Sequence, residues 1–296
     1  MHLQPLMQTV NSSNQPAQDI SSLSLTRSGQ PVDMEAAKEF MLTTLEQIER
    51  VELSAVEDEL QEKGRRLKML LAAEELPALT NDQIRRILRT VFATRRRANS
   101  ILAAVDPSET KDAIGHLLYD DLAVDVRFQR FVDTMTGFIG DVRELRPRKS
   151  SDSRAKQSAE KAALEENIFC DLGSELLHFT EPNLYWLWTR WIWDPKAGTG
   201  AMPLVTMEEV NLHGSTVSET YLKLGVATTF IKATGEAAGL EGFTTGPYGI
   251  DVFLACVYAV YMYTTLRLRM TQEFNKVVPQ LPQLIRRLLG VWKLEI

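Results

Sequence analysis

Apolar residues recur along much of the chain at intervals of three and four, the spacing that places them on one face of an α-helix. Met41, Leu45 and Ile48 form one series, and Leu53, Val56, Leu60, Leu67 and Leu70 form a second. The two do not join in phase, so the pattern predicts one long amphipathic helix over residues 33–76 with a kink near Glu52, or two shorter ones. Asp33 supplies a cap and Pro77 a stop.

Thr80 followed by Gln83 is a capping box, and the Asp106-Pro107 step closes the segment it opens. Read as a single helix, residues 83–105 place Ile84, Leu88, Val91, Ala98, Leu102 and Val105 on one face. Arg85, Arg86, Arg89, Arg96 and Arg97 fall on the opposite face, with Arg95 at the edge of the apolar stripe. No acidic residue lies between Gln83 and Val105. Two readings follow for these arginines. Either they meet a polyanion such as RNA or DNA, where the paired donors of the guanidinium suit phosphate, or the acids of the first helix (Glu46, Glu49, Glu52, Glu57, Asp58 and Glu59) lie alongside and neutralise them or water solvates them.

A helix starting at Asp106 runs to about Tyr119, and a second is expected over residues 121–145. The pair Asp120-Asp121 reads as helix capping, because no third metal-ligand side chain repeats nearby. Residues 147–158 are charged and small, with no apolar period, and mark a linker. Beyond it a helix is predicted over residues 159–179. The stretch "LYWLWTRWIWDP" at 184–195 is then read as another helix, because strand alternation would leave Arg190 among apolar groups. On that wheel Trp188 and Trp191 face a core, while Trp186, Arg190 and Trp193 stand opposite and offer a stacking or interface surface. Helices beginning near Thr216, at Asp251 and close to the C-terminus complete the pattern. The expectation is an all-α protein with two bundle-like helical halves: a polar, flexible arm (1–32), an N-terminal helical domain (33–146), the linker (147–158) and a C-terminal helical domain (159–296).

Composition narrows the function classes. With 44% hydrophobic and 24% charged residues the chain can bury a sizeable core, and its net charge of −6 argues against indiscriminate binding to nucleic acid while leaving a local basic face open. The longest apolar run, residues 252–266, falls short of the roughly 20 residues a membrane span requires, so a buried helix and no membrane span are expected. The first thirty residues lack the basic start and apolar core of a secretory signal, and Cys170 and Cys256 fit no zinc or disulfide spacing. A reducing, intracellular compartment suits them best.

No catalytic constellation emerges. His2, His116, His178 and His213 are isolated, and no nucleophile-elbow, kinase, dinucleotide or deaminase motif is present. The glycines of residues 196–205 lack the lysine and hydroxyl order of a phosphate loop. Glu109 with Lys111 and Glu219 with Lys223 supply the acid and lysine of a metal-dependent nuclease without its strand-borne aspartate, so a helical nuclease is a remote third reading. The expected function is non-catalytic and cofactor-free: an assembly protein of nucleocapsid or coat type that binds RNA or DNA through the arginine face and associates with itself or a partner protein. The alternative is a protein-binding helical adaptor that uses no nucleic acid.

Overall fold

The computed structural model describes residues 50–144, 153–206, 210–237, 246–269 and 280–294. The polar arm and the first part of the long helix, including the kink near Glu52 as a junction with what precedes it, lie outside the described residues. Among the described residues ten α-helices follow one another and no strand forms: α1 (Arg50–Leu70), α2 (Asn81–Thr90), α3 (Ala98–Leu102), α4 (Pro107–Tyr119), α5 (Val124–Glu144), α6 (Ser153–Thr180), α7 (Met202–Val205), α8 (Val217–Ala237), α9 (Gly249–Arg269) and α10 (Leu281–Leu288). The protein is all-α. Among the described residues no helix is long and apolar enough to cross a membrane.

The expected linker is partly structured. Residues 147–152 lie outside the described set, but α6 already begins at Ser153. From Ile168 to Thr180 every residue of α6 is buried, because α1, α4 and α5 all pack against it. Buried side chains from Leu53 to Val291 belong to one contiguous core that includes residues of both halves. Burial of this kind is the dominant stabilising contribution, about 25 cal/mol per Å² of apolar surface removed from water.

A helix buried all round with Asp171, Ser174, Glu175 and His178 along it requires an account of those polar groups. Their spacing places them on one stripe of α6, and three of them turn to the tryptophan segment. The Asp171 carboxylate accepts the Arg190 backbone N–H at 3.1 Å, the Ser174 hydroxyl accepts that of Trp188 at 2.5 Å, and His178 Nδ1 faces the Tyr185 carbonyl at 2.8 Å. Residues 185–189 are consequently not helical, which corrects the helix expected from their spacing. The backbone groups that a helix would have paired within itself are taken up by side chains of α6 instead. The C-terminal part of the segment closes by turns, with Trp193 N–H donating to Thr189 O at 3.0 Å and Ala201 N–H to Trp191 O at 2.8 Å.

The remaining face of the stripe holds two buried charge pairs. Glu175 meets Lys63 of α1 at 2.6 Å, and Lys63 also donates to the Leu289 carbonyl at 3.0 Å and lies 4.0 Å from the centroid of the Phe179 ring. Burial drives the Lys63 amine below its ordinary value and the Glu175 carboxyl above its own, each pulled back by the other. His178 Nε2 meets Asp251, in the first turn of α9, at 2.7 Å. One polar stripe thus ties α6 to α1, to α9 and to the tryptophan segment.

Candidate nucleic-acid interface

The arginine segment is built on a short amphipathic helix. Thr80 and Gln83 form the capping box expected for them: the Thr80 hydroxyl accepts the Gln83 N–H at 3.3 Å, and the Gln83 amide oxygen accepts that of Thr80 at 2.8 Å. Ile84, Ile87 and Leu88 are buried beneath α2. Docking at its C-terminal end is fixed from the far end of the chain. Gly290 is in the left-handed region at φ +72°, and a Cβ there would lie 2.2 Å from the Thr90 carbonyl oxygen and 2.8 Å from Lys63 Nζ. Only glycine fits this approach.

The helix does not continue to Val105 as its apolar spacing suggests. It ends at Thr90, a 3₁₀ turn covers Arg95–Arg97, and α3 resumes at Ala98. The run of β-branched and aromatic residues at 90–92 disfavours helix, and local hydrogen bonds replace the lost ones. The Thr90 hydroxyl donates to Ile87 O at 2.7 Å, that of Thr94 donates to Leu88 O, and Arg95 Nε donates to Arg89 O at 2.8 Å. Arg95 is thereby occupied in closing α2. The single straight face expected of one helix becomes a helix followed by a tight turn.

Each predicted site residue can now be placed. Arg86, Arg89 and Arg96 are exposed, whereas Arg85 and Arg97 are half-buried. Asp82, one residue before the acid-free span, pairs with Arg85 and with Arg86, each at 2.9 Å. Exposed pairs of this kind contribute about 0–1 kcal/mol, so a phosphate can displace Asp82. Of the acids expected to neutralise this face, Glu59 pairs instead with Arg286 of α10 at 2.9 Å, whereas Glu46, Glu49 and the Glu52 side chain lie outside the described residues. The sequence reading missed Asp82 as a partner, and it missed Phe92, 54% exposed on the turn between Arg89 and the triple arginine.

Trp186, Arg190 and Trp193 do not form an outward surface. Trp186 and Trp193 are buried along with Trp188 and Trp191. The Trp186 ring stacks on Tyr221 of α8 at 4.7 Å, and Tyr221 stacks on Phe128 of α5 at 4.2 Å. Trp186 Nε1 donates to the Tyr221 carbonyl at 2.7 Å, Trp188 Nε1 to Trp193 O at 2.9 Å, and Trp191 Nε1 to Leu288 O at 3.0 Å. Arg190 has its Nε 3.6 Å from Asp171. These rings reach inward because the backbone of this segment does not follow the helix on which their outward placement rested.

Other clusters have a different character. Lys63, Glu175, His178 and Asp251 are almost wholly buried and engaged with one another. Cys170 and Cys256 are free and buried, and burial raises both thiols. Among the described residues no three His, Cys, Asp or Glu side chains are grouped to hold a metal ion. An open groove of about 550 Å³ between the end of α1 and the start of α2 carries Arg65 and Arg66 but also Glu74 and Glu75, so it presents no field of one sign. The concentrated positive charge belongs to α2, the turn and α3, where residues 81–105 hold six arginines and one aspartate in a chain of net charge −6. No family model, curated protein or solved structure matches this chain.

Proposed function

We propose that this protein binds nucleic acid through the arginines of α2 and the following turn, Arg85, Arg86, Arg89, Arg96 and Arg97, and works as a non-catalytic assembly protein. The observation that supports the reading is the exposure of Arg86 and Arg96 on a segment that carries six arginines and whose one acid is the exposed Asp82. Guanidinium groups in such a surface bind phosphate in paired hydrogen bonds. The acidic remainder of the chain repels the polyanion elsewhere and confines contact to this segment.

The test is binding of labelled nucleic acid by the intact protein and by the Arg86→Gln/Arg89→Gln/Arg96→Gln variant at several salt concentrations. Loss of these contacts weakens binding to all sequences alike and makes the log–log salt slope shallower by roughly 0.7–0.9 per contact. A wild type that binds no nucleic acid even at low salt removes the reading. The adaptor reading would then take its place, supported by the exposed apolar side chains of Tyr119, Leu122 and Val126 where α4 meets α5.

A further inference from the structure

Between Ile84 and Ala98 the exposed positions are Arg86, Arg89, Phe92 and Arg96, and one of them is not arginine. Residues 84, 87, 88, 91, 94 and 98 are buried, and between them Arg85, Arg86, Arg89, Phe92 and Arg96 are exposed or half-exposed. Phe92, 54% exposed, takes the slot between Arg89 and Arg96. The turn that carries it is held at both ends: Arg95 N–H donates to Val91 O at 2.9 Å, Arg97 N–H to Thr94 O at 2.8 Å, and the Arg95 guanidinium caps Arg89 O. Phe230, also exposed, lies on α8 with Lys232 as the cation beside it in sequence. Tyr119, on α4, gives its hydroxyl to the Leu71 carbonyl.

We propose that Phe92 is a base-stacking platform and that the nucleic acid bound by this surface is single-stranded. The inference rests on the phosphate-binding reading of the flanking arginines and names the class of ligand they take. An exposed ring on an arginine-rich segment matches the two surfaces of an unpaired strand, with phosphates on one side and exposed base faces on the other. In a duplex the base faces are covered by their neighbours, and a ring presented this way finds only the edge of the stack. An apolar protein partner would not call for the six arginines that residues 81–105 carry. An acidic peptide would satisfy the arginines and leave the ring without a flat partner.

The experiment measures fluorescence anisotropy of the full chain with labelled oligothymidine, oligouridine and a duplex DNA of equal length. Phe92→Ala, Phe92→Trp and the triple arginine-to-glutamine variant are compared with the wild type. The wild type should prefer the single strands, and the thymidine and uridine arms separate DNA from RNA. Phe92→Ala should weaken single-strand binding about ten- to a hundredfold with the salt slope unchanged, while Phe92→Trp retains it. The melting temperature of Phe92→Ala should stay at the wild-type value, since the ring is in solvent. If Phe92→Ala binds as the wild type does while the arginine variant loses binding, stacking is overturned and the phosphate reading stands. Preference for the duplex, or equal competition by polyglutamate of matched charge, also overturns the proposal. A wild type that binds none of the three removes both readings together.

Discussion

The imidazole of His178 lies 2.7 Å from the carboxylate of Asp251, and each side chain is 2% exposed. The other ring nitrogen faces the Tyr185 carbonyl at 2.8 Å. Both ring nitrogens therefore face acceptors, a demand that only the doubly protonated ring meets. Burial alone would lower the affinity of the ring for its second proton, but the charge of Asp251 and the two hydrogen bonds outweigh it and raise the His178 pKa. The pair joins the end of α6 to the first turn of α9.

Replacing His178 with Gln leaves Asp251 buried without its counter-charge. Removal of one partner of a buried pair costs about 3–5 kcal/mol, whereas a neutral hydrogen-bonded contact costs nearer 1 kcal/mol. Urea unfolding of His178→Gln is expected to show the larger loss. A loss near 1 kcal/mol would mean that the ring is neutral in the folded protein.

The same group gives stability a definite pH dependence. The folded pKa of His178 exceeds its unfolded value, so its contribution is fully present below about pH 6.5 and is lost as pH rises through the folded value. Asp171 acts with the same sign: burial, opposed by Arg190, lifts its carboxyl to about 8, so folding takes up a proton there between the unfolded value near 4 and pH 8. The lowered carboxyls of Glu62 and Glu219, at about 2, act in the opposite sense but only in the acid range. The melting temperature is expected to fall from pH 5.5 to pH 8.5, and Asp171→Asn should flatten that slope. Rising stability across this interval would show that neither group carries its extra proton in the fold.

The tryptophan segment yields a prediction in packing. Gly225 of α8 presents bare backbone to Trp186, and a Cβ there would lie 2.3 Å from the indole. Trp186→Ala is expected to cost roughly 3–5 kcal/mol, because the stacked and hydrogen-bonded ring leaves a cavity. Gly225→Ala should also destabilise despite alanine's better helix propensity, and Trp186→Ala should relieve that clash in the double variant. Thermal unfolding of the two single variants and the double gives the coupling. Strict additivity would place the ring away from α8.

What the sequence disclosed depended on whether the partners of a residue were near it in the chain. The capping box at Thr80, the proline start of α4 and the apolar stripe of α1 from Leu53 to Leu67 are local, and each stands where its pattern puts it. The tryptophan segment satisfied a helical period, yet its backbone is held by Asp171, Ser174 and His178, side chains outside any window drawn around it. Lys63 was legible only as an interruption: it stands between Leu60 and Leu67, where the stripe of α1 calls for an apolar residue, and Glu175 of a distant helix explains it. The end of α2 was more accessible. Thr90, Val91 and Phe92 are poor helix formers in a row, and the solvent-facing series that includes Phe92 repeats the arginine spacing.

Asp82 separates the arginine surface from an ordinary solvated face. It shares its two carboxylate oxygens between Arg85 and Arg86 and stands in the first turn of α2, where a negative charge is favourable by about 0.3–1 kcal/mol. Asp82→Asn therefore gives up a little stability while it releases two cations and removes a charge that repels phosphate. If Arg85 and Arg86 meet the ligand, the variant should bind nucleic acid more tightly, roughly two- to tenfold, since each displaced surface pair is worth at most about 1 kcal/mol. The salt dependence should also become steeper, because two more arginines are free to release counterions from the strand. Titrations at two salt concentrations, with the melting temperature as a control, separate this from a change in fold. An unchanged affinity for Asp82→Asn, together with an unchanged affinity for Arg85→Gln/Arg86→Gln, would move the contact off the N-terminal half of α2 and onto the turn that holds Arg96 and Arg97.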